Sequence, residues 1–397
     1  MRPDLIRALY LQPAAQFGGA ERQAATIIPL LREHGVDVLP YIGPGTAISD
    51  WMEERGVHEY VFSRSLPGAA STPGGLARVE RARQYAHAWA ACRREIEGLI
   101  RAYDIDVVFA ALAFSWVVAT PIARRLRVPI VWRAGGTECT PGQRWWLAAW
   151  ARWQPPDMLV CNGDAVREFY EPLIGAPTVT IRNGVDAAQF HPGAGVRDRL
   201  RAPHARHVIG FAGRLVPQKR PEDFIALAAR FAHRPDVAFL LAGDGSRRAH
   251  YAELARAAGA HTLEVLGYVA DMRDLYAACD VLVLPSRSEG CPNVILEAMA
   301  MRTAVVAADT PATREIVRSG ADGILYEVGD LDALTAIIER LIAEPASRRL
   351  IVERGYRRVR QELTAEACAA QTARLLRGVA CAHPASRARA IAALQTP

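Results

Sequence analysis

Two carboxylates eight positions apart, Glu289 and Glu297, lie in the segment SRSEGCPNVILEAMA (286–300), directly after the apolar run VLVLP. Glu289 falls on a loop, Gly290 and Pro292 are small or cyclic, and a helix carrying Glu297 follows. A proline is tolerated at a helix start because its missing N–H has no intrahelical partner there. The free first-turn amides and the helix dipole make such an end an anion site, suited to a phosphate. If the intervening chain were wholly helical, eight residues would span about 12 Å. The acid and base of a glycosidase stand closer, at about 5 to 9.5 Å. The spacing suits two acids at opposite ends of an elongated ligand, one near a sugar and one near a ribose diol; a solvated acid pair at a helix start has the same pattern.

A second segment, GFAGRLVPQKRPEDFI (210–225), leaves a strand through Gly213 and enters a helix near Pro221, with Arg214 and Lys219 on the loop between. Cations at a strand C-terminal end can converge on a diphosphate. Of the 48 basic residues only Lys219 is a lysine. An ammonium is a compact point charge and a guanidinium a planar fork, so the single exception to an arginine-writing chain points to a site-specific need. In a third segment, QFGGAERQAATIIPLL (16–31), Gly18 and Gly19 lie between strand and helix and would let backbone approach a ligand, with Glu21 in the first helical turn. This is not GxGxxG, so no dinucleotide fingerprint is satisfied. Asp104-Ile105-Asp106 precedes a strand and Asp330-Leu331-Asp332 opens a helix; both are read as structural, and no metal is expected.

These loops need strands to end on and helices to begin. Short apolar runs alternate with helical patterns, the signature of parallel sheets covered by helices on both faces. Runs at 6–11, 36–42, 107–112, 130–133, 158–162 and 178–181 form one strand series. Runs at 208–212, 238–242, 263–266, 281–284, 304–308 and 323–326 form another, with helices expected at 221–233, 248–258, 271–278, 292–301, 312–318 and 330–343. The reading is α/β: two Rossmann-like doubly wound domains facing a cleft. Residues 1–182 form the N-terminal, acceptor-side domain, 183–206 a Pro- and Gly-rich linker, 207–363 the C-terminal, donor-side domain, and 364–397 a closing helix and tail. Open α/β sheets bind ligands beyond their strand C-terminal ends, so an active site between the domains is expected.

Composition narrows the class. A chain of 397 residues that is 51% hydrophobic and 23% charged, with 25 prolines and 30 glycines, is neither disordered, collagenous nor coiled-coil. Its net charge of +6 permits anionic partners but forms no dense basic stripe, which argues against nucleic acid. The seven cysteines are scattered without CxxC, so neither disulfides nor zinc are indicated and a cytoplasmic setting is expected. The N-terminus lacks the unbroken apolar core of a signal peptide, and the longest uncharged run, 107–123, reads as a strand followed by a helix.

In order along the chain, GGAER, IRNGVD, GFAGRLVPQKRPEDFI, LLAGDG, LGYVADM and PSRSEGCPNVILEAMA resemble glycosyltransferase family 4, the retaining group 1 enzymes of GT-B fold. The resemblance covers most of the chain and is dense from 181 to 326. It implies that Arg214 and Lys219 neutralise the diphosphate of a nucleotide-sugar donor, that Glu297 takes the ribose hydroxyls and that Glu289 faces the transferred sugar. The backbone at Gly290, Cys291, Asn293 and Val294 would orient donor sugar and phosphate. Gly213 would line the donor loop, Gly18 and Gly19 would close over the phosphate and acceptor, and Tyr268 and Val269 would border the base. Breaking an anomeric C–O bond leaves a nucleoside diphosphate, so stabilising negative charge is the main task, which these groups can do without a metal or a cofactor. Asn183 is expected to shape the hinge.

One departure from the family pattern concerns a histidine that many members carry after the fifth strand of the first domain. This chain reads VPIVWRAGGTE there, and Arg133, Thr137 or Glu138 would substitute; Glu21 is a further candidate sugar or acceptor contact, and an anionic substrate would suit Arg133. On the acceptor side, RWWLAAWARW (144–153) holds Trp146, Trp150 and Trp153 on one helical face between Arg144 and Arg152. Such a helix fits either a core or interdomain face or peripheral contact with the inner face of a membrane. The sequence therefore predicts transfer of a hexosyl group from a nucleoside diphosphate sugar to a glycan, lipid-linked or small-molecule acceptor, in polysaccharide or glycolipid biosynthesis. The rivals are a nucleotide-sugar epimerase of the same architecture, which would need an acid and base pair, and a non-catalytic nucleotide-sugar-binding protein.

Overall fold

Strands buried on both faces need near-continuous apolar runs, and VVFAA, HVIGFA, VAFLLA and AVVAA are of that kind. The structure, a computed structural model, describes residues 5–12, 18–43, 46–63, 77–137, 139–193, 205–245 and 247–382. It divides into two units, Met1–Arg182 with Ala365–Pro397, and Asn183–Thr364.

The first unit runs β1 (Ile6–Gln12), α1 (Gly19–Glu33), β2 (Val36–Ile42), α2 (Thr46–Glu53), β3 (Val61–Phe62), α3 (Ala77–Ala102) and β4 (Val107–Ala111). It continues through α4 (Ala113–Leu126), β5 (Ile130–Ala134), α5 (Pro141–Trp153), β6 (Met158–Cys161), α6 (Asp164–Ile174) and β7 (Thr178–Thr180). The second runs β8 (His207–Ala212), a 3-10 turn at Pro217–Lys219, α7 (Pro221–Arg230), β9 (Val237–Ala242), α8 (Arg248–Ala257), β10 (Leu263–Gly267) and α9 (Met272–Ala278). After it come β11 (Val281–Leu284), α10 (Asn293–Ala300), β12 (Ala304–Ala308), α11 (Pro311–Ile316), β13 (Ile324–Tyr326), α12 (Leu331–Ala343) and α13 (Pro345–Glu362). The chain then returns to the first unit as α14 (Ala365–Ala382).

Both sheets are parallel throughout, in the orders β3-β2-β1-β4-β5-β6-β7 and β10-β9-β8-β11-β12-β13. In each, the strand order reverses beside the first strand, between β1 and β4 and between β8 and β11. Loops leave a sheet in opposite directions at such a point and open a crevice. Apolar layers cover both faces of both sheets; on one face of the first, Ala24, Ile27, Ile28 and Leu31 of α1 pack with Ala369, Ala373 and Leu376 of α14.

Several elements differ from the sequence expectation. Strand β3 is two residues long, too short for a pattern, and α13 occupies a stretch to which no helix was assigned. Among the candidate linker residues, Asn183–Thr364 as a unit includes Asn183, and Val185 bridges to Thr364 within it. Residues 194–204 of that segment lie outside the described residues. The uncharged run 107–123 is β4 followed by α4, and among the described residues no helix is long and apolar enough to cross a membrane. Of the two Asp-x-Asp sequences, Asp106 accepts the Arg7 amide at 2.8 Å, Asp330 caps α12 through the Ala333 amide, and Asp332 pairs with Arg230.

Candidate active site

The loops after β8 and β11, on either side of the second sheet's reversal point, are fastened together. Arg287 donates its amide to the Gln218 carbonyl (3.0 Å), and Gln218 Nε2 donates to the Ser288 carbonyl (2.9 Å). Lys219 Nζ then donates to Glu289 Oε1 at 2.5 Å, with side chains 14% and 8% exposed. The two segments singled out for cations and for acids thus form one structure, and a charged pair this sheltered is screened little by solvent. Gly213 lies behind the lysine: a Cβ there would stand 3.7 Å from Lys219 Cδ and Cγ. Arg214 is exposed on the same loop and its side chain has no hydrogen bond or ion pair among the described residues.

Glu297 sits inside α10, buried, and Tyr276 Oη of α9 donates to its Oε2 at 2.6 Å. Sequence reasoning missed Tyr276: the two residues are 21 positions apart, and a tyrosine in a helix next to a core carries no signal of its own. Helix α10 begins at Asn293 with Pro292 as its N-cap, one residue later than expected. The first-turn amides of Asn293 and Val294 therefore stand at the open end of the helix. Gly290 and Cys291, immediately before, are buried. Asn183 was assigned to a hinge, yet its Nδ2 donates to the Cys291 carbonyl (3.3 Å) and to Asn293 Oδ1 (2.8 Å), so it ties down the approach to α10.

A glycine is obligatory at one point of this framework. Gly243, after β9, has φ +154°, and a Cβ there would lie 1.9 Å from the Gly213 carbonyl oxygen. The Gly213 amide donates to Ala242 and that of Gly243 to Gly267. The ends of β8, β9 and β10 are therefore in backbone contact, just before Tyr268, which is exposed, and half-buried Val269.

In the first unit, Gly18 is the N-cap of α1, and its amide donates to Glu21 Oε2 (2.9 Å). Glu21 Oε1 accepts from Gln12 Nε2 (2.8 Å), and the side-chain Oε1 of Gln12 accepts from the Tyr10 hydroxyl. Glu21 is buried, with both carboxylate oxygens used inside the protein, which makes it the anchor of the turn before α1. Gly19 is exposed. Arg133 is half-buried near the end of β5, opposite Ala111 of β4. Burial pushes the Tyr10 phenol above its usual range, and the Arg133 guanidinium opposes that shift, so the two belong to one polar neighbourhood at the strand ends. Leu112, next after β4, has φ +70° and ψ 143°, a backbone that costs a non-glycine residue about 1 to 3 kcal/mol. Glu138 lies outside the described residues. Among the described residues, no group of three or more His, Cys, Asp or Glu is placed to hold a metal ion.

Known proteins resemble this chain in sequence and in fold. The family described as Glycosyltransferase Family 4 matches residues 17–189, and that described as Glycosyl transferases group 1 matches residues 206–344. The chain is 29% identical over 369 residues to a GDP-mannose-dependent alpha-mannosyltransferase of Mycolicibacterium smegmatis, covering 87% of this chain and 92% of that one. It is 31% identical over 229 residues to a lipopolysaccharide core biosynthesis mannosyltransferase of Rhizobium leguminosarum, covering 55% of this chain and 64% of that one, slightly under two thirds of the relative's length. The solved structure of Anabaena HepE with UDP and glucose superposes with a TM-score of 0.78 at 21% identity, over 94% of this chain and all of that one. The fold is thus the GT-B arrangement of two Rossmann-like units, and the matched families follow one another along most of the sequence. The chain belongs to the family 4, group 1 glycosyltransferases.

Proposed function

We propose that this protein transfers a hexosyl group from a nucleoside diphosphate sugar to a glycan, lipid-linked or small-molecule acceptor, with retention of anomeric configuration and without a metal. The observation that carries the reading is the Lys219–Glu289 pair on two interlocked loops at the reversal point of the second sheet. Breaking the anomeric bond places negative charge on the departing diphosphate. Lys219, exposed Arg214 and the open end of α10 supply cations and amides for that charge, each worth roughly 10²- to 10³-fold in rate when well placed. Glu289, whose Oε1 already holds the ammonium, would face the sugar. Glu297, oriented by Tyr276, would accept from the ribose hydroxyls. The names of the relatives, a GDP-mannose-dependent mannosyltransferase and a lipopolysaccharide core mannosyltransferase, support transfer in polysaccharide or glycolipid biosynthesis, and the scattered cysteines support a cytoplasmic setting.

The test is a panel of UDP-, GDP- and ADP-sugars. A ligand that binds the native state raises apparent stability by RT ln(1 + [L]/Kd), so one donor should raise the melting temperature and support transfer. Absence of both binding and turnover across the panel, or unchanged turnover in Lys219→Ala and Glu289→Ala, would refute the reading.

A further inference from the structure

Helix α5 carries its largest apolar side chains outward. Thr140 caps it through a reciprocal pair with Gln143, Pro141 starts it, and it buries only Leu147 and Ala151 in the core of the first unit. At 100° per residue the opposite face carries Gly142, Trp145, Trp146, Ala149, Arg152 and Trp153. A surface helix ordinarily turns polar residues outward. Here Trp145 is 75% exposed, Trp153 68% and Trp146 47%, so three large aromatic rings stand on the outward face. The sequence places Trp146, Trp150 and Trp153 on one face, and in the structure their rings meet there, with Trp150 half-buried and exposed Trp145 beside them.

The rings are ordered by one another. Trp146 stacks on Trp150 with centroids 5.7 Å apart, and Trp153 meets Trp150 edge-on at 5.2 Å. Charge on the helix has one sign. The helix itself contains Arg144 and Arg152 and no acid, and exposed Asp157 follows it in the next loop. Arg144 lies over the Phe169 ring at 4.7 Å, while Arg152 is exposed and forms no ion pair among the described residues. Exposed Arg124, at the end of α4, donates to the Pro155 carbonyl just beyond α5 and so adds a cation at the same end.

We propose that this face of α5 docks the protein on an anionic lipid surface, lying in the headgroup plane without entering the hydrocarbon core. Tryptophan favours that zone because its ring is apolar and its N–H polar, and arginine adds attraction to anionic headgroups. No helix among the described residues can span a bilayer, so attachment by this face is peripheral. The inference stands apart from the transfer reading, since docking requires neither donor nor turnover.

The test is flotation of the full chain with vesicles of phosphatidylcholine alone and of phosphatidylcholine mixed with phosphatidylglycerol. Flotation is expected with the mixed vesicles only, weakening as salt is raised. Replacing Trp145 and Trp153 by Ser should lower partition about tenfold per tryptophan, and Arg152→Glu should lower it by at least about fivefold. All three side chains are exposed, so melting and nucleotide binding should not change. No flotation with the mixed vesicles, equal flotation with both kinds, or unaltered flotation of W145S/W153S would each overturn the proposal. So would lipid-free self-association that the same double variant abolishes, which would make a second copy the occupant.

Discussion

Removing the charge of Lys219 tests whether the two donor-side loops are held by the ion pair or merely lie together. Lys219→Met keeps the aliphatic stem, and Glu289→Gln keeps the shape of the acid. In the native protein the two side chains are 14% and 8% exposed and 2.5 Å apart, so loss of the ammonium strands a sheltered carboxylate. Breaking a buried pair from one side costs about 3 to 5 kcal/mol; because the lysine keeps some contact with water, Lys219→Met should sit near the lower end, at about 3 kcal/mol. Removing both charges at once leaves nothing stranded, so the double variant should be less destabilised than the sum of the singles by about 2 kcal/mol, within the span known for contacting residues. Urea unfolding followed by circular dichroism measures this cycle. All eight tryptophans precede residue 183, so their emission reports separately on the first unit, where no change is expected. Additivity within about 0.5 kcal/mol would refute the reasoning, because it would mean that the pair carries no coupling. Lys219→Arg adds a functional reading: it keeps the charge but presents a planar fork, and turnover should fall. Unchanged turnover would mean that the lone lysine reflects composition only.

Tyr276→Phe removes the donor to Glu297 and should cost about 1.5 to 3 kcal/mol, with weaker binding of free nucleotide measured by calorimetry. Gly243→Ala puts a methyl group 1.9 Å from the Gly213 carbonyl and should part the ends of β8 and β9, abolishing donor binding as measured by thermal shift. Burial holds the His207 imidazole below its usual pKa, so between that lowered value and about 6.5 the unfolded chain binds a proton that the folded chain does not. Stability therefore rises with pH across that window, is complete above it and is lost on acidification; His207→Gln should remove the slope in pH-dependent unfolding.

The framework was readable from the sequence because buried parallel strands must be written as apolar runs, and every run assigned as a strand is one. What local patterns cannot carry is partnership over distance. Lys219 and Glu289 each stand out in their own segments, yet 70 positions separate them and nothing in either segment announces the other. Gln218, Tyr276 and Asn183 act through bonds to residues 21 to 110 positions away. Helix α13 has a weak sequence signature because its buried residues, Ile351, Gly355 and Val359, are sparse on a helix otherwise dominated by arginine and glutamate. An acid in a first turn, such as Glu21, has two uses, ligand contact and capping, and only the positions of Gln12 and the Gly18 amide reveal the second.

The return of α14 to the first unit has a consequence for biosynthesis. Residues 5–182 leave the ribosome without the helix that covers one face of their sheet, and Cys368, Ala369, Ala373, Leu376 and Ala380 arrive only after the whole second unit has been made. The second unit has all its strands by Tyr326 and can fold while its predecessor waits with Tyr10, Ile28 and Phe109 incompletely covered. A chain that ends after Thr364 and has been released from the ribosome should therefore show a protease-resistant second unit and a protease-sensitive first one, the reverse of their order of synthesis.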